Sequence, residues 1–401
     1  ARGVDAADFD GDGATDVVSA SSFDNSIVVY YGDGTGYHLG NEVSVSGVAD
    51  GVESVVAADY DGDGWTDIAS ASSGSGAIEW WRNIGKRNWA PSPMAIGTCD
   101  GAMKMSGGDF NNDGLPDLVA GCADAPSPSI SAYINGDDGS TWTVQVVYST
   151  PLMITNMDTA VGDIDDDGFV AVLFVASSVR LVGWASNAGG TGFLPPTTID
   201  TLAIGFTIAA ALCDVDDDGD LDVISAVANG GGSAISLYTQ TAPGTISSTP
   251  TDLGGSYNLP YSISCRDASG DGFPDVAVAS YSSDQISWLR NRGLGDGTFE
   301  AQEILTSTSI GAYRVKIVDV NNDGFNDLLC AGNDDDTIES FIQRPVLNAT
   351  PMPAALPPHP AAVPLKVTDI YTALNTASQC TPQRIELAAG SVVVSGCSAD
   401  G

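Results

Sequence analysis

Seven near-copies of one nine-residue acidic stretch constrain this chain more than any other feature. They read DFDGDGATD (8–16), DYDGDGWTD (59–67), DFNNDGLPD (109–117), DIDDDGFVA (163–171), DVDDDGDLD (214–222), DASGDGFPD (267–275) and DVNNDGFND (319–327). Successive copies start 50 to 54 residues apart. A period of this length marks a solenoid or a propeller, in which each repeat is one supersecondary unit.

The flanking residues decide between the two. A short alternating or apolar run precedes each copy, such as 52–58 or 314–318, and another follows, such as DVVSAS, DIASAS or DLVAGC. A polar turn then leads to a third run (SIVVYY, AIEWW, ISAYI, VRLVGW, AISLY, QISWL, TIESF). A Gly- or Asn-rich turn leads to a fourth, as in GDGTGYHLGNEVSV and GDGTFEAQEIL. No 3.6-residue periodicity appears, so four short strands per period are expected. Four strands repeated seven times predict an all-β protein, a seven-bladed β-propeller. The Ala, Ser and Gly residues after each motif suit crowded strands near a central axis.

Clustered carboxylates need a reason. Unit charges about 5 Å apart repel by roughly 0.8 kcal/mol in water and about 3 kcal/mol at an effective dielectric of 20. A hard cation removes that penalty. Calcium takes about 6–8 oxygen ligands and accepts mixed donors. Positions one, three, five and nine would offer side-chain oxygens and position seven a backbone carbonyl, with the glycine at position six permitting the sharp turn. The predicted ligands are therefore Asp8, Asp10, Asp12, Ala14 and Asp16; Asp59, Asp61, Asp63, Trp65 and Asp67; Asp109, Asn111, Asp113, Leu115 and Asp117; Asp163, Asp165, Asp167 and Phe169; Asp214, Asp216, Asp218, Asp220 and Asp222; Asp267, Ser269, Asp271, Phe273 and Asp275; Asp319, Asn321, Asp323, Phe325 and Asp327. Five loops are expected to bind calcium well. Ser269 is a weaker donor in the sixth, and the fourth has Ala171 where Asp is expected, which makes it the weakest. A single acidic turn would read as solvated, but seven in register do not. An EF-hand is disfavoured, because the flanks are strands and no Glu stands at position twelve. Thrombospondin-type calcium repeats crowd a similar motif in tandem instead of spacing it.

The pattern D-x-[DN]-x-D-G-x-x-D between strands, with GDGTF downstream, resembles the FG-GAP/VCBS repeat family, which includes the integrin α-subunit propeller and related extracellular propellers and lectins. The resemblance covers roughly residues 1–343. It implies seven blades, an acidic loop joining the first two strands of each, and one Ca²⁺ per intact loop. It also implies that the metal loops share one face and that ligands are often met on the other.

Lys and Arg total 14 against 52 Asp and Glu, a net charge of −38 that disfavours nucleic acid and anionic lipid as partners. With 43% hydrophobic residues the chain is expected to pack. No run of about 18 apolar residues is present. The start at Ala1 fits a processed secreted chain, so an extracellular or cell-surface location is expected. The propeller is assigned to 1–344, a Pro-rich extended linker to 345–365, and a small disulfide-containing β segment to 366–401, with Cys380 paired to Cys397. The first motif begins at Asp8, which leaves room for only the innermost strand before it, so the fourth strand of the seventh blade must come from the tail or be missing. Asn348 opens the only N-x-[ST] sequon, a glycosylation candidate. Cys99 and Cys122 flank the third motif on facing strands and are expected to bridge. Cys213 and Cys265 occupy nearly matching places on the inner strands of neighbouring blades, a second pairing with less to support it, and Cys330, within an apolar strand, reads as a buried thiol.

No catalytic constellation stands out. The two histidines are His38 and His359, and no GxSxG, HExxH or Walker loop occurs. Binding is expected: a structural or adhesive module of an extracellular assembly making protein or glycan contacts, including self-association, or a lectin-like domain. A carbohydrate-active enzyme is the third reading. Phe23, Phe206, Tyr257, Tyr261, Tyr281 and Tyr313 fall in or near loops of the face opposite the metal motifs. There they could stack on sugars or anchor a partner, or pack between blades.

Overall fold

The computed structural model describes residues 1–343, apart from 37–41, 47–49, 124–127, 137, 153–156, 202–204, 229–232, 308–310 and 335–336, and beyond them the strands Gln383–Leu387 and Gly390–Ser395. Asn348, Cys380, Cys397, both histidines and the Pro-rich linker lie outside the described residues.

Seven sheets, each built on consecutive antiparallel strands, form a seven-bladed β-propeller. The strands before the acidic motifs are innermost: Gly3–Ala7, Val52–Ala58, Ala102–Gly108, Met157–Gly162, Phe206–Cys213, Pro260–Arg266 and Ala312–Val318. Each packs against the innermost strand of the next blade, and the last packs against the first, so the ring closes. Every strand that follows a motif, from Asp16–Ser21 to Asp327–Gly332, is buried along its whole length. The small residues there let neighbouring blades approach closely on both sides.

Seven apolar clusters fill the seven junctions between blades. One unites Val4, Val17 and Val28 of the first blade with Val320, Leu329 and Ile338 of the seventh. Another unites Tyr60, Ile78 and Trp80 of the second with Met105, Leu118 and Tyr133 of the third. The residue at motif position two is always inside, as Phe9, Tyr60, Phe110, Ile164, Val215, Ala268 and Val320. Burying one of the large side chains contributes about 1.5–3 kcal/mol, which pins the acidic loop to the disc.

The first blade is complete in sequence order, Gly3–Ala7 innermost and Glu42–Ser46 outermost. In the seventh, Thr337–Phe341 pairs in parallel with Gly390–Ser395, which pairs in turn with Gln383–Leu387. The tail thus supplies the outer strands of that sheet, one of the two outcomes the sequence left open.

Cys99 and Cys122 are bonded, with Cα atoms 4.9 Å apart. Cys213 and Cys265 are also bonded, at 6.2 Å, and this bridge links the innermost strands of the fifth and sixth blades. Cys330 is a buried free thiol, as its apolar strand implied. Among the described residues, no helix is long and apolar enough to cross a membrane.

Candidate metal centres

All seven acidic loops share one hydrogen-bonded conformation, built by the motif itself. The aspartate at position one accepts the backbone N–H of position six: Gly13, Gly64, Gly114, Gly168, Gly219, Gly272 and Gly324 bond their respective partners at 2.8–2.9 Å. Those glycines lie at φ between 86° and 95°. A Cβ there would meet nothing within 4 Å, so the requirement for glycine is conformational and not steric. Position four is also left-handed, which explains why it holds only Gly, Asn or Asp: Gly11, Gly62, Asn112, Asp166, Asp217, Gly270 and Asn322. Position five ties back to the N–H of position seven, as Asp63 does to Trp65 at 3.0 Å and Asp167 to Phe169 at 2.9 Å. The same bond links Asp12 to Ala14, Asp113 to Leu115, Asp218 to Asp220, Asp271 to Phe273 and Asp323 to Phe325.

Position nine is the most deeply placed carboxylate. Asp16, Asp67, Asp117, Asp222, Asp275 and Asp327 are fully buried at the start of the second strand. One oxygen of each accepts the N–H of position two or three of its own loop, and the other accepts the N–H of the residue at the end of the third strand. Burial pushes these carboxyls upward, Asp16 to about 6, Asp67, Asp117, Asp222 and Asp275 to about 7, and Asp327 to about 8. The backbone bonds pull the other way, and the loop carboxylates nearby add to the rise. A cation beside them would favour the ionised form.

The donor set fits a hard divalent ion. Carboxylate oxygens come within 4.8 Å of one another in Asp8, Asp10 and Asp16, in Asp59, Asp61 and Asp67, in Asp163, Asp165 and Asp167, and in Asp214, Asp216 and Asp218. At position three, one oxygen of Asp165, one of Asp216 and the Ser269 hydroxyl are buried without a hydrogen-bond partner, the condition a bound cation would relieve. The fourth loop keeps its three carboxylates together even though Ala171 is buried at position nine. Elsewhere arginines attend the loops: Arg87 pairs with Asp10 at 2.6 Å, Arg82 with Asp61 at 2.5 Å, and Arg290 with Asp271 at 3.3 Å. Asn111 and Asn321 bond Asp113 and Asp323 through their side-chain amides.

A family model of FG-GAP-like repeats matches residues 8–70, 59–120, 109–174, 214–278 and 267–330. This chain belongs to the FG-GAP-like repeat family. No match runs from the fourth motif of this FG-GAP-like protein to its fifth, the stretch that begins with the loop ending in Ala171. A search of curated proteins finds no match. Among solved structures, an Agrocybe aegerita lectin described as specifically recognising non-reducing terminal N-acetylglucosamine is similar, with a TM-score of 0.54 and 19% identity over 76% of this chain and 80% of that one. BBS1N, solved in complex with ARL6DN, superposes with a TM-score of 0.50 and 13% identity over 82% of this chain and 88% of that one. At these identities the likeness is one of fold.

The FG-GAP-like loops are joined to one another by a device the motif does not contain. The residue at the end of the third strand is a buried amide in six blades: Asn83, Asn135, Asn187, Gln240, Asn291 and Gln343. Each donates its side-chain N–H to the carbonyl at position two or three of the preceding blade's loop: Phe9, Tyr60, Phe110, Ile164, Val215 and Ser269. In the first blade the equivalent residue is Gly32. A recurrent Asn or Gln sixteen to eighteen residues after position nine carries this signal in sequence.

The aromatics named for the opposite face divide. Phe23 is 94% exposed, and Phe206 lies half-exposed beneath the Arg180 guanidinium. Tyr257 is buried within the junction of the fifth and sixth blades. Tyr261 stacks on Tyr313 with centroids 4.9 Å apart, and Tyr281 meets both edge-on while donating to Asp334.

Proposed function

We propose that this FG-GAP-like propeller is a secreted, calcium-stabilised module that binds protein or glycan partners within an extracellular assembly, and that it works by binding and not by catalysis. The observation that carries the reading is the set of buried, unpartnered oxygens of Asp165 and Asp216 inside converging carboxylate loops. A protein that repeats such loops at matching places around a ring gains rigidity when divalent ions fill them, and the two cystines among the described residues suit an oxidising compartment. In this reading Asp163, Asp165 and Asp167 hold an ion in the fourth loop as well. The test is sedimentation and adhesion to matrix-coated beads with millimolar calcium and again with EGTA. Calcium-dependent association supports the reading, and a monomer that attaches to nothing in either condition overturns it.

A lectin reading is supported by the Tyr261, Tyr281 and Tyr313 cluster and by the likeness in fold to the Agrocybe aegerita lectin. Binding on a glycan array that is lost in Tyr281→Ala, the residue at the open edge of that cluster, would favour it.

A further inference from the structure

The axis of the disc holds a cavity of about 570 Å³, walled by innermost strands of all blades from Val4 and Val55 to Met105, Ala210, Ile263 and Arg314. It reaches the acidic loop of the third blade at Asp109 and Gly114. Asp158 lines it on the fourth blade, and there Lys104 lies buried against it. The Lys104 ammonium crosses the axis to bond Asp158 at 2.9 Å and the carbonyl of Tyr261 in the sixth blade at 2.6 Å. Lys104, Arg314 and Lys316 thus bring basic side chains to the axis of a chain that has 14 in all against 52 acids.

Three acids and three bases meet at this cavity, but they do not all pair with one another. Lys104 is matched by Asp158, and Lys316 is paired with Asp5. Asp109 at the rim is turned to its own loop, where it accepts the N–H groups of Asp113 and Gly114. Arg314 lines the same cavity, and its side chain has no ion pair or hydrogen bond among the described residues. A guanidinium in a walled space presents a planar fork of donors that matches a carboxylate. A cavity of this size takes a ligand of several heavy atoms beyond the anionic group, and its walls offer Val55, Met105 and Ile263 to an apolar body.

We propose that the axial cavity is a binding site for a small organic monocarboxylate, its carboxylate held by Arg314 and its apolar part against the innermost strands. The site lies between the innermost strands and meets an acidic loop only at its rim, at Asp109 and Gly114 of the third blade. The surrounding acidity works against dianions, so one carboxylate on an apolar body is the preferred class.

The test uses the whole calcium-loaded protein in calorimetry and saturation-transfer NMR, with N-acetyl-L-leucine as probe, its uncharged amide as control and inorganic sulfate as competitor. The acid is expected to bind and the amide not, and Arg314→Gln is expected to weaken binding about 10- to 100-fold. Sulfate should compete weakly, since it leaves the apolar walls unused. Equal binding of acid and amide, sulfate binding as tightly as the acid, or unchanged binding in Arg314→Gln would each overturn the proposal. Should Arg314→Gln fail to fold, phenylglyoxal labelling of the wild-type protein followed by mass spectrometry decides. Protection of Arg314 by N-acetyl-L-leucine supports the site, and labelling at the same rate with and without it refutes the site.

Discussion

The backbone N–H of Asn83 donates to the buried carboxylate of Asp67 at 2.6 Å, while the Asn83 side chain donates to the Phe9 carbonyl of the preceding blade at 2.7 Å. One residue therefore ties the acidic loop of its own blade to the loop of the blade before it. Leaving a buried acceptor without its donor costs about 1–3 kcal/mol. Asn83→Ala orphans the Phe9 and Thr66 carbonyls together. We expect a loss of about 2–4 kcal/mol on that basis, read as a lower urea midpoint, with Asn83→Asp at least as harmful because a carboxylate would face two carbonyls.

This relay separates what the sequence discloses from what it conceals. The acidic loops are legible because each is local: ligands, glycines and flanking strands all fall within one short stretch. Asn83, Asn135 and Asn291 look like ordinary turn residues after an apolar run, and only the ring brings each to the previous blade. Lys104 is hidden for the same reason. In AMKMSGG a lone lysine reads as an exposed position on a strand, and it acquires partners only when the blades converge at the axis. The cystine between Cys213 and Cys265 joins nearly matching places in adjacent repeats, which the period made a candidate pair but did not single out.

Removing Lys104 strands a buried Asp158. Breaking one side of a buried pair typically costs about 3–5 kcal/mol, so Lys104→Met should lower the unfolding midpoint strongly. The double variant Lys104→Met with Asp158→Asn should recover most of the loss, because neither charge is then uncompensated. A double variant no more stable than Lys104→Met would show that packing, not charge, accounts for the effect.

The same lysine gives a pH signature. Burial holds its ammonium down to about 8 from the ordinary 10.5, with Asp158 opposing the shift and Arg314 adding to it. Between pH 8 and 10.5 the unfolded chain holds this proton more tightly than the folded one. Its contribution to stability therefore grows as pH rises through that window and is at its least below 8. Urea midpoints of the wild type relative to Lys104→Met, taken at steps across the window, should move in favour of the wild type with increasing pH. A flat difference would refute the assignment.

Chelation should matter more than any single substitution in the loops. Ligands that bind only the native state stabilise it by mass action, so EGTA is expected to lower the melting midpoint of the calcium-loaded protein. Asp216→Asn should remove a part of that difference, because its orphaned oxygen belongs to one loop only. A midpoint insensitive to both calcium and EGTA would contradict metal binding at these loops.

Removing a cross-link offers a further check on how neighbouring blades are joined. In the chain-entropy account a cross-link closing a loop the size of that between Cys213 and Cys265 is worth about 4 kcal/mol. Cys213→Ser with Cys265→Ser should therefore melt lower than the wild type. Cys330→Ser, which cuts no cross-link, should not match that loss.

Gly32 stands where six other blades carry a donating amide, so the meeting of the seventh blade with the first is fastened differently, by Asn322 bonded to Thr15 and Gly13 and by the Lys316 pair with Asp5. A disc riveted alike at six joints and otherwise at one has a seam. Under heat, force or loss of ions, the circle is expected to part there first, uncoiling as a row of blades while the remaining joints still hold.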